Sequence, residues 1–263
     1  MAIDHSFIIK QLQTAEEMFA AFSPTTRHPF VTCDEESYND QVHIFLDESQ
    51  ACCFAESYDE RKIPITVGKI PQAQFLNFYA RLYNLGINAV VLHDKNTATE
   101  LALESIVKRE PDISKIPPEK RPIVNPELQL TALYLLQELR RQIPQEEKQG
   151  LAALDEELVA HLMKARFLSA AVPAPDGVDT DEKKQIQFPL IKSKNGDMYQ
   201  TLFTDMYELK TFDPEQKLRP LALSFADLDK LLIKESKGYI LNPGSYAITL
   251  RREQLDKFNG KTN

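Results

Sequence analysis

Two stretches decide the reading of this chain: Met198-Tyr-Gln-Thr-Leu-Phe-Thr-Asp-Met-Tyr-Glu208, and further on Gly238-Tyr-Ile-Leu-Asn-Pro-Gly-Ser245. The first reads as a strand, Met198–Phe203, that runs into an acidic helix start at Asp205–Glu208. The second reads as a short strand, Tyr239–Leu241, that runs into a turn. Working outward, an amphipathic helix comes first, with Leu151, Leu154, Leu158, Leu162 and Ala165 on one face. Strands at Phe167–Val172 and Gln187–Lys192 follow. Asn195-Gly196 predicts a type I′ hairpin, because both residues tolerate positive φ. Ser224-Phe-Ala-Asp227 predicts a capping box at the start of a helix over Phe225–Ser236. Gly238 is expected to end that helix, and the loop Pro173–Lys184 is acidic and expected to be mobile.

The same order appears in looser form from about Thr14. A helix starts near Asp4 or Ser6, carries Ile8, Leu12, Ala15, Phe19 and Phe22 on one face, and is closed by Pro24. Strands are expected at Pro29–Cys33, Val42–Leu46 and Ala51–Phe54, with Asp47–Gln50 as a tight turn between the last two. An acidic turn, a helix over Gln72–Leu85, a helix-ending Gly86 and a strand Ile87–His93 complete the unit. Thr97-Ala-Thr-Glu100 predicts a capped helix that Pro111 stops. Five prolines between Pro111 and Pro126 predict an extended strap. Asn125-Pro126 opens a helix lined by Leu128, Leu135 and Leu139 and ending near Ile143-Pro144. The expected architecture is α+β: two pseudo-repeated α/β domains, each a small mixed sheet with flanking helices. The domains fall at residues 1–96 and 150–263, with interdomain helices and a proline-rich linker over 97–149.

Composition narrows the function. Apolar residues make up 43% of 263, enough for ordinary cores, and the net charge is −8. An acidic chain repels phosphate backbones, which argues against nucleic acid as a partner. The N-terminus lacks a basic head and an apolar core, and no apolar run approaches a bilayer span, so a soluble cytoplasmic protein is expected. Three cysteines make no disulfide framework. Cys52 and Cys53 are adjacent, so in a strand they face opposite ways, and they read with Cys33 as buried small hydrophobes. His5, His28, His43, His93 and His161 show no metal-ligand spacing and read as structural or surface residues. No phosphate-binding glycine loop, dinucleotide fingerprint or nucleophile elbow is present. Neither a cofactor nor a metal is expected, and no catalytic residue is assigned.

The C-terminal stretch resembles the SseB family, named for an enhanced serine-sensitivity phenotype. The resemblance rests on Phe188-Pro189-Leu190, the Asn195-Gly196 hairpin, Leu202-Phe-Thr-Asp205 and Gly238–Ser245, and covers residues 150–258. It implies an α/β unit of bacterial cytoplasmic proteins and brings no catalytic residues with it. The usual layout has this domain first and a different one after it. Here it stands second, behind what reads as a degenerate copy.

Six residues form the candidate ligand- or partner-binding surface: Thr204, Asp205, Asn242, Pro243, Gly244 and Ser245. Each has a structural explanation. Asp205 and Glu208 have the spacing of a helix cap and its reciprocal partner, which Ser57 and Glu60 repeat in the first copy. Pro243-Gly244 suits a type II turn. If the strands before the two motifs are parallel neighbours, the motifs meet at one sheet end; if antiparallel, they lie apart. The function expected is a non-enzymatic protein acting through protein contacts, of which a regulatory role is one form. The alternative is a small-molecule sensor or an uncharacterised enzyme, with its site at a sheet end or an interdomain cleft.

Overall fold

The computed structural model of the protein describes residues 5–95, 97–108, 115–117, 120–172 and 187–258. The chain divides into two compact units, Met1–Arg121 with Pro126–Leu158, and Pro122–Asn125 with Val159–Asn263. Both are mixed α+β.

The N-terminal unit runs α1 (Ser6–Thr14), β1 (Glu17–Ser23), β2 (His28–Pro29), β3 (Val31–Cys33), β4 (Asp40–Phe45), α2 (Glu48–Glu56) and β5 (Thr66–Pro71). It continues with α3 (Phe75–Asn84), β6 (Ala89–Asp94), β7 (Thr97–Ala102), α4 (Leu103–Ile106) and α5 (Pro126–Leu139). β1 lies between β5 and β4, antiparallel to both. β6 is parallel to β4 and antiparallel to β7, and β3 pairs with β4. Phe19, Ala21, Phe30 and Phe45 meet Ala51 of α2 on one face of the sheet. On the other, Tyr79 of α3 donates its hydroxyl to Met18 Sδ at 3.3 Å. Each buried phenylalanine of this kind stabilises the fold by roughly 2–3 kcal/mol.

Four expectations for this unit are corrected. The helix expected to reach Phe22 ends at Thr14, and Glu17–Ser23 is a central strand. Met18 through Ala21 are buried on both faces. A strand buried on both faces is a continuous apolar run, which periodicity does not separate from a helix. Ala51–Phe54 is helical instead of extended, because Asp47 accepts the Gln50 N–H at 3.1 Å and caps α2. Asp47-x-x-Gln50 is thus a cap signal and not a hairpin turn. Cys52 and Cys53 on α2 are exposed, as is Cys33 on β3, contrary to the buried placement expected. Thr97–Ala102 is a strand, so the capping box read there does not form. Gly86 does end α3, with φ +81°. α5 belongs with this unit through side-chain bonds to it, including Gln129 Nε2 to Asn84 O at 2.9 Å. Of the strap expected over Pro111–Pro126, residues 111–114 and 118–119 lie outside the described residues.

The C-terminal unit follows α6 (Leu151–Lys164) with β8 (Arg166–Ala171), β9 (Leu190–Lys192), β10 (Met198–Leu202), α7 (Met206–Phe212), β11 (Arg219–Ser224), α8 (Leu228–Leu231), β12 (Ser236–Leu241), β13 (Ile248–Arg251) and α9 (Arg252–Phe258). β10 is parallel to β12 and antiparallel to β9; β13 is antiparallel to β12. β8 pairs with β11, and a bridge from Leu168 to Phe203 joins that pair to the end of β10. Leu168, Ala170, Phe203 and Leu209 form a core beneath α7.

The capping box at Ser224 and Asp227 is present. The helix it opens stops at Leu231, well before Ser236, which already belongs to β12. Gly238 therefore ends no helix. It sits inside β12 with φ +149°, where a Cβ would lie 2.0 Å from Leu250 O. The close approach of β13 is what this glycine permits. The hairpin after β9 also differs from expectation. Gly196 has φ +90° and Asn195 is not left-handed. The Gly196 N–H reaches Ser193 O at 3.0 Å and the Ser193 N–H reaches Asp197 O at 2.8 Å. This is a three-residue loop with one left-handed glycine, and not a type I′ turn. The loop expected over Pro173–Lys184 lies outside the described residues.

Candidate functional site

The parallel register of β10 and β12 sets Leu202 against Leu241 and so brings Thr204 beside Asn242. The Asn242 N–H donates to Leu202 O at 2.8 Å and prolongs the ladder. Its side chain then turns back. Oδ1 accepts the Thr204 N–H at 2.9 Å, while Nδ2 donates to Thr204 Oγ1 at 2.8 Å and to the Tyr246 hydroxyl at 2.6 Å. The carboxamide thereby spends both donors and its acceptor. From the other side, Asn125 Nδ2 donates to Thr204 O and Arg166 O, each at 2.7 Å. Asp205 accepts the N–H groups of Tyr207 and Glu208 at 2.8 and 2.9 Å and caps α7. Glu208 does not return to its cap. Its Oε2 accepts the Ser245 hydroxyl at 2.6 Å.

The six candidate residues thus meet at one sheet end, within a connected polar cluster. Thr204, Asp205, Glu208, Asn242 and Tyr246 are buried, whereas Pro243, Gly244 and Ser245 are half-buried. Burial holds the Tyr246 phenol well above its ordinary range, and the carboxylates of Glu208 and Asp205 push in the same direction, so it stays neutral. Chemically the cluster locks two loops together, since each polar group answers another. The turn differs from the type II form expected. Asn242, with φ +50°, is the left-handed residue, and Gly244 is not. An asparagine tolerates that conformation because its short side chain bonds locally.

The N-terminal unit holds two features that the sequence did not reveal. The first is a histidine pair. Thr32 Oγ1 meets His43 Nε2 at 2.8 Å, and His43 Nδ1 meets His93 Nε2 at 2.9 Å. His93 stacks on Phe45 at 4.7 Å, and Phe54 lies 4.6 Å from the His43 ring. Burial, then the neighbouring His93, lowers the His43 pKa to about 3. The parallel pairing of β4 with β6 sets Phe45 opposite His93, two residues from His43. Only that pairing unites residues fifty apart in the sequence. The second is a groove of about 890 Å³ bordered by β3, Tyr58, Arg61 and α5, with His43 in its wall.

The C-terminal unit therefore has the form of a small α+β domain with a polar lock at one sheet end. Residues 146–257, in the C-terminal half of the chain, match the profile described as the SseB protein N-terminal domain. The chain is also similar to Tic22 from Plasmodium falciparum, at 16% identity over 97% of this chain and 99% of that one, with a TM-score of 0.23. It is similar to Anabaena Tic22, titled protein transport, at 11% identity over 82% of each chain, with a TM-score of 0.22. No curated protein matches it. Among the described residues no helix is long and apolar enough to cross a membrane.

Proposed function

We propose that this protein works in the bacterial cytoplasm through contacts with another protein rather than by catalysis, and that its N-terminal unit is a divergent copy of the SseB-type domain. The observation that carries the contact reading is the groove of about 890 Å³ in the N-terminal unit, which lies against a strand edge and mixes apolar walls with charged ones. At the other end of the chain the polar groups of the SseB motifs are spent on one another, so the candidate residues there present to a partner chiefly the half-buried Pro243–Ser245 turn. The duplication is supported by two successions of elements. In each unit a helix precedes an antiparallel strand, an aspartate caps the helix after the first parallel strand, and a hairpin partner follows the second.

Crosslinking of the full chain in its native host, read by mass spectrometry, tests the contact reading. The expected result is a protein crosslinked to residues around the groove. Failure to find any protein above an unrelated control of equal charge would overturn it. A second reading, a sensor of small anions, is favoured by a separate cavity of about 250 Å³ in the N-terminal unit, walled by Arg27, His28, Lys69 and Arg81. Thermal stabilisation by anionic metabolites in the absence of any crosslinked protein would favour that reading instead.

A further inference from the structure

The groove is closed at one point by a side chain acting as a strand. Gln137 of α5 accepts the Val31 N–H on Oε1 at 3.0 Å and donates from Nε2 to Val31 O at 2.9 Å. This is the paired exchange that two residues make across an antiparallel ladder. The other edge of β3 is already used. The Asp34 N–H bonds Asn39 O at 3.0 Å, and with Val31 set opposite Val42 that parity turns the main chain of Thr32 and Asp34 toward β4. The main chain of Val31 and Cys33 therefore faces the groove. Gln137 serves Val31; among the described residues no bond from that side reaches the main chain of Cys33. Asp34, Glu35, Glu36, Asp40 and Glu138 line the groove against Arg61 and Arg141. Arg141 is further committed, holding Glu138 at 2.9 Å and the Arg61 carbonyl. Glu35 and Glu36 are exposed.

We propose that the groove binds an extended, basic segment of a partner protein, which adds to the outer edge of β3 by main-chain hydrogen bonds. The carboxamide of Gln137 holds the place of one residue of that segment. Main-chain pairing at an unfilled edge supplies affinity, and the carboxylate excess selects lysine and arginine side chains. Apolar residues on alternate positions face Phe30 and Ile63 in the groove wall. The inference rests on the protein-contact reading and gives that contact its chemistry.

The test uses the full chain and a fluorescein-labelled peptide that alternates lysine with valine, followed by anisotropy. Its counterparts alternate glutamate with valine, or carry proline at the centre. The lysine peptide is expected to bind at least about tenfold more tightly than either counterpart. Glu35→Lys with Glu36→Lys should weaken it by about tenfold or more, while the same charge change at Glu215 and Glu253, exposed residues of the C-terminal unit, leaves binding unchanged. Cys33→Pro removes the outward N–H and should also weaken binding; Gln137→Ala should tighten it. Equal binding of the lysine and glutamate peptides, or equal loss from both charge-change variants, would overturn the proposal. The charge-change pair decides the matter even if Cys33→Pro misfolds. Crosslinked partners that persist unaltered on the Glu35→Lys, Glu36→Lys variant would remove the groove inference and leave the contact reading standing; absence of partners on the unaltered chain removes the contact reading itself.

Discussion

The two units solve the same local problem with different residues. Each pairs two parallel strands, β4 with β6 and β10 with β12, and each follows the second with a left-handed residue other than glycine, Lys95 and Asn242. Lys95 is exposed, and its N–H goes to Gln50 Oε1 at 3.1 Å. Asn242 is fully buried and bonds three groups through its side chain. The N-terminal unit keeps its buried polar chain elsewhere, on the sheet face, as Thr32, His43 and His93. A fold thus prescribes where a turn must be left-handed, while the choice of side chain decides whether that turn becomes a lock or a plain connection.

Backbone substitutions at Gly238, inside β12, and at Gly86, after α3, would break the comparison most sharply. Gly238→Ala drives a Cβ to 2.0 Å from the Leu250 carbonyl, a contact between rigid backbones. It should cost more than about 4 kcal/mol or prevent folding of the C-terminal unit. Gly86→Ala, at φ +81° and with Pro126 O at 2.8 Å, should cost about 2 kcal/mol, since a helix end adjusts more readily. Urea unfolding of both variants measures the difference; equal effects would mean that β13 can move away from β12.

The next contrast is between the two left-handed residues. Asn242→Ala removes the side-chain bonds that reach Thr204 N, Thr204 Oγ1 and the Tyr246 hydroxyl. A loss of about 3 kcal/mol is expected, part of it from the unfavourable φ. Lys95→Ala should change stability by less than about 0.5 kcal/mol. A small effect at Asn242 in denaturant titrations would show that water replaces its bonds.

Acid should separate the units. His43 and His28 both have pKa values lowered to about 3, by burial first and then by His93 and Arg81 respectively. In the unfolded chain each returns to the ordinary range near 6.5. The unfolded state binds more protons between those values, so stability falls as the pH drops below about 6.5 and continues to fall toward the folded pKa. At pH 5 the loss is on the order of 2 kcal/mol for each of these histidines. Hydrogen exchange at pH 7 and pH 5 should show protection lost from β4 and β6 before β10 and β12. Equal loss in both would contradict it.

Legibility divides along the same line as the chemistry. Much of the C-terminal unit could be read because strong punctuation marks its elements, the Asp205 cap, the Ser224–Asp227 box and the Asn195-Gly196 loop, although β11 and β13 were not foreseen. The N-terminal unit resisted at Met18–Ala21, where burial on both faces erased the alternation that marks a strand. Asp47-x-x-Gln50 carried a usable cap signal, yet the run Ala51–Phe54 looked extended because cysteine and phenylalanine favour strands as much as helices. The meeting of Thr204 with Asn242 depended on strand direction, which no local pattern encodes. The groove lay further out of reach, being assembled from β3, the Tyr58–Ile63 stretch and α5.

The smallest contrast is expected between the two capping aspartates, where the comparison is cleanest. Asp205 and Asp47 each follow the first parallel strand of their unit and cap the next helix. Asp205 is buried and takes two N–H groups, from Tyr207 and Glu208. Asp47 is exposed, takes the Gln50 N–H, and accepts the Ser49 hydroxyl. Water can replace the bonds of the exposed cap and has no access to the buried one. Asp205→Ala should therefore cost about 2 kcal/mol, the upper end for a cap, and Asp47→Ala distinctly less. Asn in place of either aspartate keeps a side-chain acceptor. Asp205→Asn should recover most of the loss if the bonds to Tyr207 and Glu208 matter, and little of it if the negative charge at the start of α7 is what stabilises. Thermal melts of the four variants decide between these. Equal losses for Asp47→Ala and Asp205→Ala would mean that burial adds nothing to the cap, and the contrast between an open and a locked strand end would lose its energetic basis.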